Sequence, residues 1–187
     1  MIDYQFDENK VVETVAYLLQ KESVDQKNYT KLLKVIYLCD REALKRWGKP
    51  ITGDRLISMP NGTLLSRTYD LIKYHRLSGD GVWSKYISEK NGYEIGLLQD
   101  PGTEHLSLAE LKLIDEVFNK HKNSTFSDMI NITHSLPEWE NPLDKNEQVS
   151  AIEFEDVLKY LDYTMQDIHE LKSERENINF TKSILLG

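Results

Sequence analysis

Few residues in this chain could do chemistry, and the most conspicuous is a carboxylate in an apolar setting. Asp40 shares a helical face with Leu32, Leu33, Ile36, Tyr37 and Leu44. A carboxylate drawn into such a face needs hydrogen-bond donors, because an unpaired buried charge is costly. Donors follow closely in "GKPITGDR": the Thr52 hydroxyl, the N–H groups of Gly53 and Asp54, and Arg55. The expectation is that Asp40 staples the 48–62 loop onto its helix. A hydrolytic alternative would use Asp40, Asp54 and His134 together, and needs all three to converge in an open, polar pocket.

Other chemistries are poorly supplied. A phosphate loop needs consecutive backbone N–H donors, usually with a Lys, and Pro50 removes one between the two glycines of "GKPITGD". The histidines at 75, 105, 121, 134 and 169 have neither HExxH nor HxH spacing, so no metal site is expected. Cys39 sits among Ile36, Leu38 and Leu44 and reads as a buried, inert thiol. A nucleophile needs an oriented base, and there is no GxSxG elbow. Glu138 and Glu140 could do acid–base work, but carboxylates in a loop are ordinarily solvated. No catalytic or cofactor-binding residues are assigned, and no cofactor. Trp139 follows Leu136-Pro137 in a charged loop; it either plugs the core and anchors the loop or is a partner hot spot.

These residues must be positioned by helices. Val11, Val12, Val15, Leu18 and Leu19 predict a helix over 8–21, with Asp7 as cap. A polar linker spans Ser23 to Asn28. A second helix, capped by Thr30, runs to Trp47, where Gly48 ends it in a left-handed conformation and Pro50 forbids continuation. Residues 51–62 form a loop or short extended piece, a third helix reaches about Leu77, and Ser78-Gly79-Asp80-Gly81 breaks it. Val82–Ser88 and Tyr93–Leu98 predict paired strands about an Asn91-Gly92 turn, since both residues tolerate positive φ. Ser107-Leu108-Ala109-Glu110 is a capping box; Ser124 or Thr125 caps a shorter helix to about Thr133. Ser135–Gln148 reads as a loop, long enough to suggest function or mobility. Ser150–Glu153 offers another capping box, opening one long final helix. The fold class is therefore mainly α, a compact helical domain with one β-hairpin at about residues 82–98. The 187 residues fit one domain, 1–187, with a mobile apolar tail over 178–187.

The totals exclude several functions. The opening Met1-Ile2-Asp3-Tyr4 lacks the basic-then-apolar pattern of a signal peptide, and no apolar run approaches the ~20 residues that span a bilayer. A cytoplasmic location is the expectation. The net charge is −8, and it is uneven: residues 1–100 carry 15 Lys and Arg against 14 Asp and Glu, residues 101–187 carry 8 against 17. An acidic half repels phosphate backbones, so neither nucleic acid nor membrane is an expected partner. It could attract a basic one.

"TKLLKVIYLCDREALKRWGKPITGDRLISMPNG" resembles the opening signature of the Panacea domain, the SocA-like antitoxin group. The resemblance rests on Lys31, Leu32, Leu33, Tyr37, Asp40, Gly48, Pro50, Ile51, Thr52, Gly53, Asp54, Met59, Pro60 and Gly62. Further on, "ITHSLPEW" resembles the family's Thr-His…Trp element, at Thr133, His134 and Trp139. The match spans residues 30 to about 140. Thr63-Leu64 stand where the family has Pro-Val. A proline there would preset the first turn of the next helix, so a looser junction is expected.

The resemblance implies a protein-binding role. Its members neutralise toxins by direct contact, and one lineage resembles an adaptor that hands its toxin to an AAA+ protease. It implies no enzyme. Some members add a DNA-binding helix-turn-helix, for which this chain has no room. The expected partners are a cognate protein toxin and, for the adaptor route, an AAA+ protease, with homo-oligomerisation left open. The partner-binding or loop-organising residues are Asp40, Thr52, Gly53, Asp54, Met59, Pro60, Gly62, His134 and Trp139. A stand-alone interaction module without a toxin is the remaining alternative.

Overall fold

The computed structural model of the chain describes residues 2–21, 28–75 and 81–185. The expected 23–28 linker and the break at Ser78–Gly81 fall almost entirely outside the described residues. Helix α1 (Glu8–Lys21) has the predicted bounds, and Asp7 accepts the Lys10 N–H at 3.1 Å as expected of a cap. Helix α2 (Tyr29–Trp47) is capped by Asn28 rather than Thr30, because the Asn28 side chain reaches the N–H groups of Thr30 and Lys31. It ends at Gly48 with φ 64°, and the Gly48 N–H closes on Leu44.

Helix α2 is the hub. Its Leu32, Leu33, Val35, Ile36, Tyr37, Cys39, Ala43 and Leu44 are buried, and it packs against α1, against the helices over Leu108–His121 and Phe126–His134, and against one strand of the sheet. Burying such side chains stabilises the fold by about 1.5–3 kcal/mol each. Helix α5 (Leu108–His121) opens on the predicted Ser107–Glu110 box, and α6 (Phe126–His134) is capped by Thr125, of the two expected candidates, in a further box with Asp128.

The regular sheet begins where a loop or short extended piece was expected, and the extended reading holds for residues 56–59. Strands β1 (Leu56–Met59) and β2 (Gly62–Leu65) form a tight antiparallel hairpin about Pro60-Asn61, with Leu56 opposite Leu65 and Met59 opposite Gly62. Strand β3 (Ser150–Ile152) adds to the other edge of β1, Leu56 facing Ile152. The expected capping box at Ser150 is thereby corrected: Ser150 pairs with Ser58, and Glu153 takes the N-cap position of the next helix without a side-chain bond. The Thr63-Leu64 junction is not loose either. Both residues are strand, paired to Ser58 and Ile57. Helix α3 (Ser66–Tyr74) begins only after them and stops short of Leu77, at His75 with φ 60°.

The expected 82–98 hairpin is present in shortened form. The chain reverses at Asn91-Gly92, with bridges from Asn91 to Glu94 and from Ile87 to Leu97. Trp83–Tyr86, predicted as strand, is instead one helical turn, α4, which buries Trp83. The Ser135–Gln148 connection contains a 3-10 turn at Pro142–Lys145. The single final helix is two, α7 (Phe154–Tyr160) and α8 (Met165–Leu185), separated where Asp162 takes φ 66°. Among the described residues no helix is long and apolar enough to cross a membrane.

Candidate functional site

Two buried carboxylates organise the 48–62 loop. Asp40 has no exposed surface. One of its oxygens accepts the Ile51 and Thr52 N–H groups at 2.9 and 3.0 Å, and the other accepts the Thr52 hydroxyl. The Thr52 hydroxyl donates as expected, while the backbone donors are Ile51 and Thr52 rather than the expected Gly53 and Asp54, and Arg55 does not take part. Burial pushes the Asp40 carboxyl up to about 7, against the downward pull of its Thr52 and Ile51 bonds and with a smaller upward push from Asp54.

Asp54, equally buried, turns the other way. It accepts the N–H groups of Arg67 and Thr68 at 2.9 and 2.7 Å, the Thr68 hydroxyl at 2.7 Å and the Arg55 N–H at 2.6 Å. It thereby satisfies orphan donors in the first turn of α3, which has no local side-chain cap. Burial raises its pKa too. Thr52 joins the two carboxylates, since its hydroxyl also accepts the Asp54 N–H at 3.1 Å. Gly53 between them has φ 64°, and an added Cβ would lie 2.1 Å from the Gln5 carbonyl oxygen. The N-terminal segment crosses this loop, where the Asp7 N–H donates to the Thr52 carbonyl.

The hairpin turn at the far end of the loop is held by three consecutive carbonyls. The Trp139 Nε1–H donates to Met59 O at 3.1 Å, His134 Nε2 to Pro60 O at 3.0 Å, and the Lys34 ammonium to Asn61 O. A carbonyl only accepts, so His134 carries its proton on Nε2. His134 and Trp139 stack, ring centroids 3.9 Å apart. Gly62 has φ 102°, and a Cβ there would meet the Thr133 Oγ1 at 2.1 Å and Lys34 Nζ at 2.7 Å. Only glycine fits.

Trp139 therefore anchors its loop through the turn and remains partly exposed. Glu138 is a correction. Its side chain is wholly buried, accepts both Arg41 Nε at 2.6 Å and Nη2 at 3.2 Å, and takes the Tyr37 hydroxyl at 3.0 Å. Burial and then the Glu138 charge hold the Tyr37 phenol well above its ordinary value. Lys34, Tyr37 and Arg41 went unnoticed as a set. Their i, i+3, i+7 spacing puts all three on one stripe of α2, and that stripe faces the turn and the 135–141 loop.

The hydrolytic arrangement does not form. Asp40 and Asp54 have no exposed surface and are saturated by loop and helix donors, while His134 is engaged with the turn. Burial raises the Cys39 thiol well above its ordinary pKa, which leaves it protonated and unreactive. Among the described residues no three His, Cys, Asp or Glu side chains are grouped as metal ligands.

The nine singled-out residues therefore divide. Asp40, Thr52, Gly53, Asp54 and Gly62 are buried, whereas Met59, Pro60, His134 and Trp139 retain exposed surface around the exposed Asn61. The family model for "Antitoxin SocA-like, Panacea domain" matches residues 32–140, and the chain belongs to that family. No curated protein and no solved structure matches it.

Proposed function

We propose that this Panacea-domain protein is an antitoxin that neutralises a cognate protein toxin by direct contact, with the outer side of the 59–61 turn as its docking face. The observation that supports this most is the triple grip on the turn. Three side chains from two helices and a loop clamp three successive carbonyls, while Asn61 projects into solvent. A surface fixed before binding loses little conformational entropy on association. In this reading Asp40, Thr52, Gly53, Asp54 and Gly62 shape the loop, and Met59, Pro60, His134 and Trp139 touch the partner. The acidic second half would draw a basic toxin surface towards it. The chain acts as one domain in the cytoplasm, without catalysis, and neutralises by occlusion or by delivery to an AAA+ protease.

The apolar end of α8 is a second candidate surface. Phe180, Ile184 and Leu185 are 67%, 63% and 77% exposed there, and they could meet the toxin or a second copy.

Co-expression tests the reading. The gene is expressed alone and with each adjacent small open reading frame, followed by pull-down. One neighbour is expected to be toxic alone, and to be rescued and bound by this chain. Rescue with disappearance of the neighbour protein identifies the protease route. If no neighbour is toxic, or none is rescued, the antitoxin reading fails and a stand-alone interaction module takes its place.

A further inference from the structure

The turn also walls a groove of about 310 Å³. Tyr29, Met59 and Leu64 line it, and Tyr93 and Phe126, 67% and 37% exposed, stand at its edge. Among the described residues that line this groove, Lys34 alone is charged. Lys34 is itself only 3% exposed. Two of its three N–H donors are used, by Asn61 O and by Thr133 Oγ1 at 3.3 Å. Among the described residues no carboxylate pairs with it, and burial alone pulls its pKa down to about 8. An ammonium in this position still carries its charge at neutral pH, has a donor to spare and lacks a counter-ion. Unpaired buried charge is costly, and an incoming anion would offset that cost with a charge-assisted hydrogen bond.

We propose that this groove is a docking slot for an acidic side chain adjoining a large apolar one, both presented by a peptide segment of the protein partner. The proposal rests on the protein-binding reading above and gives that surface its chemistry. Charge complementarity selects the carboxylate, because the described residues of the lining hold one cation and no anion. The apolar wall and the aromatic edge select its neighbour. A protein segment suits the site better than a free metabolite: sites that bind small molecules enclose most of the ligand, whereas this groove is open and edged by exposed Tyr and Phe, the residues that anchor protein interfaces.

The test uses the full chain and defined probes. Acetyl-Phe-Glu-Leu-amide, its Gln counterpart and 3-phenylpropionate are each titrated to about 5 mM, a range suited to millimolar affinity, while the Lys34 side-chain and Tyr93 ring resonances are followed by NMR. The Glu peptide is expected to shift both and to bind about tenfold tighter than the Gln peptide, the weight of one charge-assisted bond. The Lys34 pKa should rise in the complex, which a merely structural lysine would not show. Lys34→Met should erase the Glu preference. Should that variant not fold, Tyr93→Ala at the exposed edge should weaken both peptides alike. Equal binding of the two peptides, or no shift with either, overturns the proposal. Binding of 3-phenylpropionate as tight as that of the Glu peptide overturns the commitment to a protein segment. None of these failures touches the co-expression result, so the slot and the antitoxin reading fail separately.

Discussion

Asp40→Ala and Asp40→Asn, compared across pH, separate the clamp from its charge. Removing the carboxylate leaves the Ile51 and Thr52 N–H groups without acceptors inside a region with no access to water. An orphaned buried donor costs about 1–3 kcal/mol. The Thr52 hydroxyl can turn elsewhere, and relief from burying a charge offsets part of the loss, so Asp40→Ala should destabilise by about 2–3 kcal/mol at pH 7. Asn keeps an oxygen for the two N–H groups and offers Thr52 an N–H in place of an acceptor, and should cost less than Ala.

The pH dependence has a definite sign. The folded pKa of Asp40 is raised from 3.8 to about 7, so the folded state holds a proton that the unfolded chain has released. Its stabilising contribution is complete below pH 3.8 and is lost as pH rises through about 7, by up to about 4 kcal/mol at about 1.4 kcal/mol per unit. Asp54, whose pKa burial also raises, adds a slope of the same sign to both proteins, which cancels in the comparison apart from its coupling to the Asp40 charge. Urea unfolding followed by tryptophan fluorescence from pH 4.5 to 8 measures the difference. Asp40→Asn should gain on the wild type as pH rises to about 7 and level off above it. A difference that stays flat across this range would mean that Asp40 is ionised throughout, its three bonds outweighing burial. An unchanged unfolding midpoint in Asp40→Ala would sink the clamp altogether and return Asp40 to the list of functional groups.

Other consequences follow from the same geometry. Gly62→Ala should cost about 2–4 kcal/mol in urea unfolding, because a positive φ and a clash with Thr133 combine. Gly92→Ala, at φ 60° with nothing within 4 Å, should cost only about 1 kcal/mol. Glu138→Ala strands the Arg41 guanidinium and the Tyr37 hydroxyl; with Arg41 partly exposed, about 2–3 kcal/mol is expected, and Glu138→Gln should recover some of it. Trp139→Phe keeps the stack on His134 but loses the bond to Met59 O, so it should lower stability by about 1 kcal/mol; no change would show that the indole N–H does not hold the turn.

How much of this was legible depended on how local each cause is. The bounds of α1, the Gly48 cap, the Ser107 box and the Thr125 cap each rest on a few neighbouring residues, and all stand where the pattern put them. Asp40 was recognisable because its cost is intrinsic: an acid on an apolar helix face must find donors wherever the chain goes next. Of its donors the Thr52 hydroxyl was named correctly, and the backbone N–H groups were misplaced by one or two positions. Glu138 failed for the opposite reason. Beside Glu140 in a proline-containing loop it looks solvated, and what buries it, Arg41 and Tyr37, lies 97 and 101 residues away. The Ser150–Glu153 box is the same error in reverse. The local pattern is a good helix start, but pairing with β1 satisfies Ser150–Ile152 as strand and moves the helix start to Glu153. The α7–α8 break was hidden because no Gly or Pro marks it; Asp162 itself takes the left-handed conformation.

The polar stripe on α2 connects these threads. Lys34, Tyr37 and Arg41 recur at helical spacing and meet two long-range partners: Lys34 the 59–61 turn, and Tyr37 and Arg41 together Glu138. Asp40, on the same helix, fixes the other end of the loop. One helix thus grips the 48–62 segment at both ends and the 135–141 loop across from it. Lys34 and Arg41 hold the turn and the 135–141 loop from outside the hydrophobic core, whereas Tyr37 belongs to it. Substitutions at Lys34 and Arg41 should therefore disturb the docking face before they unfold the protein. Lys34 is the exception that gives the stripe a use: it is the member with a donor left over, and the one that lines an open groove.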